Sequence, residues 1–248
     1  MENKIKEVVE IIKKSKRTTA FTGAGISVES GIPPFRGDGG LWNKYDPIVL
    51  DLNYFYDNPK ESWSVIKEIF YDFFGTAKFN RAHEVLAEME KQNYLSAVIT
   101  QNIDNLHQEA GSEVVHEFHG NSKTLVCTSC GKKFTVKDEI FKKLPPKCKE
   151  CGHLLKPDFI FFGEGIPQIA YQKSIEASQN SDVFIVIGST GEVVPASQMP
   201  FIAKQNGAKI IEINPNESKY TSQITDIFLQ GKAGEVLDKV MSRLNKIS

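Results

Sequence analysis

The chain has 248 residues, 40% hydrophobic and 25% charged, with a formal net charge of -1. This is enough for one sizeable core plus a smaller excursion, and the near-neutral balance gives no reason to expect a nucleic-acid partner. No run approaches the roughly 20 apolar residues of a membrane span, so the expectation is a cytoplasmic protein without membrane contact, read as a monomer.

In chain order, residues 4–15 mix Glu and Lys with Ile and Val at helical spacing and lack the uninterrupted apolar core of a secretory signal. A β-rich run over 18–22 then enters Gly23-Ala24-Gly25-Ile26-Ser27. A strand, a glycine turn and a helix start is how an open sheet cradles a dinucleotide diphosphate. A Gly-Ala-Gly turn also fits plain packing, and it is not a full G-x-G-x-x-G motif. No second strand with a ribose-binding acid follows; Gly31-Ile32-Pro33-Pro34-Phe35-Arg36-Gly37 does, which argues against an ordinary dehydrogenase. Arg36, among Pro and Gly, fits a phosphate cap or a surface arginine equally well.

Residues 37–80 break the alternation, rich first in Gly, Pro, Asp and aromatics and then helical. A helix is predicted over 81–92 and a strand over 96–100, ending in Gln101-Asn102-Ile103-Asp104. Polar side chains at the end of a buried strand need partners, which a bound amide or ribose would supply. Asp104 could instead cap the turn that follows. His119, directly before Gly120, is placed to serve as a general base near neutral pH, or is simply a packed histidine.

Residues 121–156 form the second interruption and hold all four cysteines, Cys127, Cys130, Cys148 and Cys151. Two C-x-x-C turns 17 residues apart match zinc-ribbon spacing. Four thiolates fill a tetrahedral Zn²⁺ site and leave no open position, so the metal is expected to be structural. Gly131 and Gly152 suit the tight turns beside them. Strands are then predicted over 159–162, 183–188 and 209–214, and helices over 166–179, 196–206 and 234–245. Apolar strands alternating with helices predict an α/β chain: a Rossmann-like parallel sheet domain with a smaller zinc-ribbon and helical domain formed by the two insertions. The boundaries drawn are 1–36, 81–120 and 157–248 for the sheet domain, and 37–80 and 121–156 for the small one.

Together these motifs resemble the sirtuin family. Gly23-Ala24-Gly25-Ile26-Ser27 with Ser30-Gly31-Ile32-Pro33, Phe35-Arg36 and Gly40-Leu41-Trp42 resembles the first sirtuin signature. Thr100-Gln101-Asn102-Ile103-Asp104 with Leu106-His107 resembles the second, and His119-Gly120 the catalytic pair. The cysteines match the zinc module, Phe162-Gly163-Glu164 the acyl-peptide strand, and Gly188-Ser189-Thr190 with Asn214 the later NAD contacts.

The resemblance implies an NAD-dependent protein-lysine deacylase, most plainly a deacetylase. The acyl oxygen attacks the ribose carbon bearing nicotinamide, and His119 relays a proton from the ribose hydroxyls so that one attacks the resulting imidate. The products are free lysine, nicotinamide and O-acyl-ADP-ribose. It implies catalytic roles for His119 and Asn102. NAD contacts are implied at Gly23, Ala24, Gly25, Ser27, Phe35, Arg36, Gln101, Asn102, Ile103, Asp104, Gly188, Ser189, Thr190, Asn214 and Ala233, and peptide contacts at Ile160, Phe162, Gly163 and Glu164. The partners are acyl-lysine proteins or peptides.

The chain departs from the family pattern at Pro34, at Gly191-Glu192, at Val194 before Pro195, and at Phe79 before Asn80. Desuccinylating members carry Tyr-x-x-Arg in the helical insertion; here Tyr71 is followed by Asp72, Phe73 and Phe74. The aromatic run Trp63, Phe70, Tyr71, Phe73 and Phe74 is read as core; any part that lines the acyl channel would admit longer apolar acyl groups. The alternatives kept open are a protein mono-ADP-ribosyltransferase and a long-chain deacylase on the same scaffold.

Overall fold

The computed structural model describes residues 1–35 and 39–246. Helix α1 (Glu2–Lys14) leads into β1 (Thr18–Thr22). A 3₁₀ helix (Ala24–Ser30) follows, and then the short helices α2 (Leu52–Asp57) and α3 (Pro59–Ile66), the latter continued by a π-helical segment (Lys67–Phe73). Helix α4 (Arg81–Lys91), strand β2 (Ala97–Thr100), helix α5 (Leu106–Glu109) and strand β3 (Val115–Glu117) come next. Strands β4 (Gly120–Cys127), β5 (Lys133–Thr135) and β6 (Leu155–Phe159) form a separate antiparallel sheet ordered β5-β4-β6. The chain closes with α6 (Gln168–Asn180), β7 (Val183–Ile187), α7 (Met199–Gln205), β8 (Lys209–Asn214), β9 (Ile227–Gln230) and α8 (Ala233–Lys246).

The main sheet is parallel throughout, in the order β3-β2-β1-β7-β8-β9. The first half of the chain builds outward from β1 and the second half builds the other way from β7. The order therefore reverses between β1 and β7, the position at which open α/β sheets bind ligands beyond their carboxyl ends.

The two-residue strand period explains the layers. Ala20, Val98, Ile185, Ile187, Ile211 and Ile213 face α1, α4 and α8. Phe21, Ile99, Phe184, Val186 and Ile210 face the other side, where Met199 and Ala203 of α7 pack. Helix α1 buries Ile5, Val8, Val9 and Ile12, the i, i+3, i+4, i+7 stripe of an amphipathic helix. Helix α4 starts on a capping box: Asn80 accepts from the Ala82 N–H, and His83 Nδ1 accepts from the Asn80 N–H. Asn80 also donates to Ile26 O at 2.8 Å and Ser30 Oγ at 2.9 Å, which ties α4 to the 3₁₀ helix after β1.

A third core lies away from the main sheet. Val49, Leu50, Phe55, Trp63, Ile66 and Phe70 pack there with Leu125, Leu155, Phe159 and Phe161. Trp63 Nε1 donates to Leu155 O at 2.9 Å, so the helical insertion and the cysteine-bearing segment share this core.

Several elements differ from the sequence expectation. The strand expected over 159–162 is β6, Leu155–Phe159, and it lies in the small sheet rather than the main one. Lys156 and Pro157 disguise its start; proline is tolerated there because β6 is an edge strand. The helix expected over 196–206 is a 3₁₀ turn (Ala196–Gln198) running into α7, with Pro200 in its first turn. The main-sheet strands β3 and β9, of three and four residues, carry too little pattern to be read from sequence. Of the aromatic run, Trp63, Phe70 and Phe74 are buried, while Phe73 is 53% exposed.

Candidate active site

Most of the NAD-contact residues expected from the sequence gather at the carboxyl edge of the main sheet. Gly23, Ala24, Gly25 and Ser27 follow β1; Gln101 to Asp104 follow β2; His119 follows β3; Gly188 to Thr190 follow β7. Asn214 is the last residue of β8, and Ala233 the first of α8 beyond β9.

At the centre, two turns touch backbone to backbone. Gly23 N–H donates to Ile187 O at 3.0 Å, and Gly25 N–H to Gly188 O at 2.9 Å. A Cβ on Gly25 would stand 2.6 Å from Gly188 Cα, and one on Gly188 would stand 2.4 Å from Ile26 N. Gly188 also has φ +63°, which L side chains adopt only at a cost. No side chain fits between these turns, and the bare peptide edge that results is the surface on which a diphosphate can lie close to backbone N–H groups.

A hydrogen-bonded line crosses from this edge to β2. Asn102 Nδ2 donates to Gly23 O at 3.2 Å and to Ser27 Oγ at 3.1 Å, and Ser27 Oγ donates to Asp104 Oδ2 at 2.7 Å. The other Asp104 oxygen accepts from the Leu106 N–H at 3.0 Å, although the N-cap position of α5 is Asn105 rather than Asp104. Burial pushes the Asp104 carboxyl above its ordinary range, and the Leu106 and Ser27 bonds pull it back. Gln101 Nε2 donates to Ser189 Oγ at 2.9 Å, joining β2 to β7.

His119 sits across the same cleft. Its Nδ1 lies 2.9 Å from Gln101 O; a carbonyl only accepts, so Nδ1 carries the proton and Nε2 keeps its lone pair. Burial holds the ring below the usual histidine range, only partly offset by that hydrogen bond, so the neutral form prevails at pH 7. Phe35 is half-buried, with its ring 5.5 Å from that of Trp42. Arg36 lies outside the described residues.

Beside His119 the chain enters the segment expected to hold peptide. Ile160 N–H donates to His119 O at 2.9 Å. Phe162, 48% exposed, pairs with Asp51 through Phe162 N–H to Leu50 O (2.8 Å) and Leu52 N–H to Phe162 O (3.1 Å). Gly163 and Glu164 follow. A cavity of about 680 Å³ opens between the helical insertion and the cysteine-bearing lobe, lined in part by Phe70, Tyr71, Phe74, Ile103 and Asp104.

The four cysteine Sγ atoms lie within 4.8 Å of one another. Cys127–Cys151, Cys130–Cys151 and Cys130–Cys148 are 3.4, 3.6 and 3.9 Å apart. A tetrahedral ion with Zn–S bonds of about 2.3 Å holds its sulfurs about 3.8 Å apart. Both turns have the same form: Gly131 N–H donates to Cys127 O, and Gly152 N–H to Cys148 O, each glycine having positive φ. The donor set fits structural zinc.

Two residues were not anticipated. Glu212, inside the apolar run of β8, is fully buried; it accepts from Asn214 Nδ2 at 2.9 Å and from the hydroxyls of Ser218, Thr221 and Thr225. A lone acid among the isoleucines of Lys-Ile-Ile-Glu-Ile-Asn was the available signal for it. Lys156, on the edge strand β6, is 5% exposed. No helix among the described residues is long and apolar enough to cross a membrane.

Comparison with known proteins agrees with this geometry. The Sir2 family model matches residues 23–195. NAD-dependent protein deacetylase 1 of Pyrobaculum aerophilum is 43% identical over 244 residues, covering 98% of this chain and 95% of that protein. A crystal structure of a Sir2 homolog–NAD complex superposes with a TM-score of 0.90 at 41% identity, covering 98% of this chain and 94% of that one. A Sir2–p53 peptide–NAD+ structure superposes at 0.89 with 38% identity, covering 98% and 99%. With the glycine edge, the histidine cleft and the thiolate cluster in family order over nearly its whole length, the chain belongs to the Sir2 family.

Proposed function

We propose that this chain is an NAD-dependent protein-lysine deacylase that transfers the acyl group of a modified lysine to ADP-ribose and releases nicotinamide. The reading rests on the family membership. The observation that carries its chemistry is the tautomer of His119: Nδ1 is committed to Gln101 O, and the neutral ring offers Nε2 as a base.

In this reading Gly23, Ala24, Gly25, Gly188, Ser189 and Thr190 take the diphosphate side of NAD. Asn214 and Ala233 take its adenosine end, and Gln101, Asn102, Ile103, Asp104 and Ser27 take the nicotinamide ribose and ring. Among the described residues nothing pairs with Asn102 Oδ1, which is therefore free for a ligand N–H or O–H. Phe35 shields the reacting carbon from water, since hydrolysis would waste NAD. His119 accepts the proton from a ribose hydroxyl. Ile160, Phe162, Gly163 and Glu164 receive the acyl-lysine peptide. The Gly163 N–H and C=O have no partner among the described residues, as a pairing edge for a peptide strand requires.

Cys127, Cys130, Cys148 and Cys151 would hold zinc, which would supply a structural cross-link that keeps the small lobe folded. We place the sheet domain at 1–36, 81–120 and 157–248 and the small domain at 37–80 and 121–156. We further propose a monomer, cytoplasmic and without nucleic-acid partners. A longer-chain deacylase is the second reading, favoured by the cavity beside Ile103, which is lined by Phe70 and Phe74.

The test is mass spectrometry of the protein with NAD and an acetyl-lysine peptide, against a His119→Ala control. Equal amounts of free peptide, nicotinamide and O-acetyl-ADP-ribose, all lost in the control, support the reading. Nicotinamide release without deacylated peptide points to ADP-ribosyl transfer or hydrolysis, and a panel of longer acyl peptides separates these from a chain-length preference.

A further inference from the structure

Lys156 is a buried cation that the proposed chemistry does not use. Its Nζ donates to Phe159 O at 2.7 Å and to Pro157 O at 2.9 Å, and forms an ion pair with Glu164 Oε2 at 2.9 Å. It also lies 4.1 Å from the centre of the Phe161 ring, whose side chain is itself buried. Burial lowers the Lys156 pKa, and Glu164 opposes that shift.

The partner carboxylate does a second thing. Glu164 Oε2 accepts the Phe161 N–H at 2.6 Å, while Glu164 N–H donates to Phe161 O at 3.0 Å. Residues 161–164 thus form a closed four-residue turn with Gly163 at φ +94°, the third-position conformation of a type II turn. On one side Phe162 is already paired with Leu50 and Leu52. On the other, Gly163 presents its unpaired peptide groups.

Nothing in this stretch is regular structure, so its conformation depends on what holds it. Lys156 is the group that joins the end of β6 to the far side of the turn. A buried ion pair of this kind is weak evidence for stability, but it can specify one conformation among several.

We propose that Lys156 is a positioning residue for the acyl-lysine peptide: by clamping Glu164 and the carbonyls of Pro157 and Phe159, it sets the turn that offers Gly163 to the substrate strand. This rests on the reading that residues 160–164 receive peptide. Without the ammonium, Glu164 keeps only its bond to the Phe161 N–H and the turn is no longer tied to the end of β6, so it samples other conformations and peptide affinity falls while the NAD edge, built on the other sheet, is untouched.

The test is steady-state kinetics and peptide binding by titration calorimetry for wild type, Lys156→Met, Lys156→Arg and the double variant Lys156→Met/Glu164→Gln. Lys156→Met is expected to raise peptide KM and Kd by about tenfold, with NAD KM changed by less than about twofold. Lys156→Arg, which keeps charge and donors, is expected to recover most of that loss. Should the unpaired Glu164 prevent Lys156→Met from folding, the double variant removes both charges and is expected to show the same rise in peptide KM. Lower melting temperature with unchanged peptide KM and Kd in both variants would overturn the proposal and leave Lys156 a purely structural residue. A wild type that turns over no acyl peptide would overturn the deacylase reading itself, and this proposal with it.

Discussion

His119 Nδ1 donates to the backbone carbonyl of Gln101 at 2.9 Å, and this one bond decides which ring nitrogen can act. Gln101 is held in turn by Ser189, so the orientation of the proposed base depends on the contact between β2 and β7 rather than on its own strand. Burial keeps the His119 pKa below its ordinary 6.5. A base must be unprotonated to work, so kcat/KM is expected to rise with pH and to level off with a midpoint below 6.5. A pH–rate profile checks this; a midpoint above that value would mean that the ring is stabilised in its charged form.

The contact between Gly25 and Gly188 leaves no room for a methyl group. Gly188→Ala combines a left-handed backbone with a 2.4 Å approach to Ile26 N. It is expected to cost at least about 2 kcal/mol of stability and to weaken NAD binding by more than about tenfold. Thermal unfolding and calorimetric NAD titration measure the two effects separately.

Removal of zinc is expected to unfold the small lobe. Treatment with a strong chelator, or Cys148→Ser, should reduce bound metal from about one ion per chain to near zero, lower the melting temperature and abolish deacylation. Metal analysis beside a melting curve tests this. Full activity in metal-free protein would show that the thiolate cluster is dispensable.

Two buried histidines predict how stability responds to acid. His83 is fully buried, and burial lowers its pKa from 6.5 to about 4. Burial also pushes His107 well below its usual range, and the two rings are 4.9 Å apart. Between these limits the unfolded chain binds more protons than the folded one, so stability rises with pH. The contribution is complete above about 6.5 and is lost as pH falls toward about 4. Melting temperature followed across that window should fall on acidification, with a shallower slope in His83→Phe.

Among the described residues that line the cavity beside Ile103, none is an arginine, and Tyr71 is followed by Phe74 where a bidentate partner for a carboxylate would sit. Succinyl-lysine peptide is expected to turn over at least about tenfold more slowly than acetyl-lysine peptide. Parallel kcat/KM measurements decide it, and equal rates would show that another cation serves the acid.

Much of this was legible in the sequence because it was local. Two C-x-x-C turns announce a metal whatever the rest of the chain does, since each turn builds half a tetrahedron by itself. Thr18 to Thr22 read as a buried strand, and the glycines after it as a close-approach turn, because burial on both faces and the absence of Cβ are written in consecutive residues. The tertiary structure decided the rest. It set β6 in the small sheet and joined Trp63 to Leu155 across 92 positions. It brought Lys156 to Glu164, and gave Glu212 its cage of hydroxyls. Periodicity tells which face of an element is apolar, but not which other element will cover it. A buried charge shows its meaning only when the partners that offset its desolvation are in place.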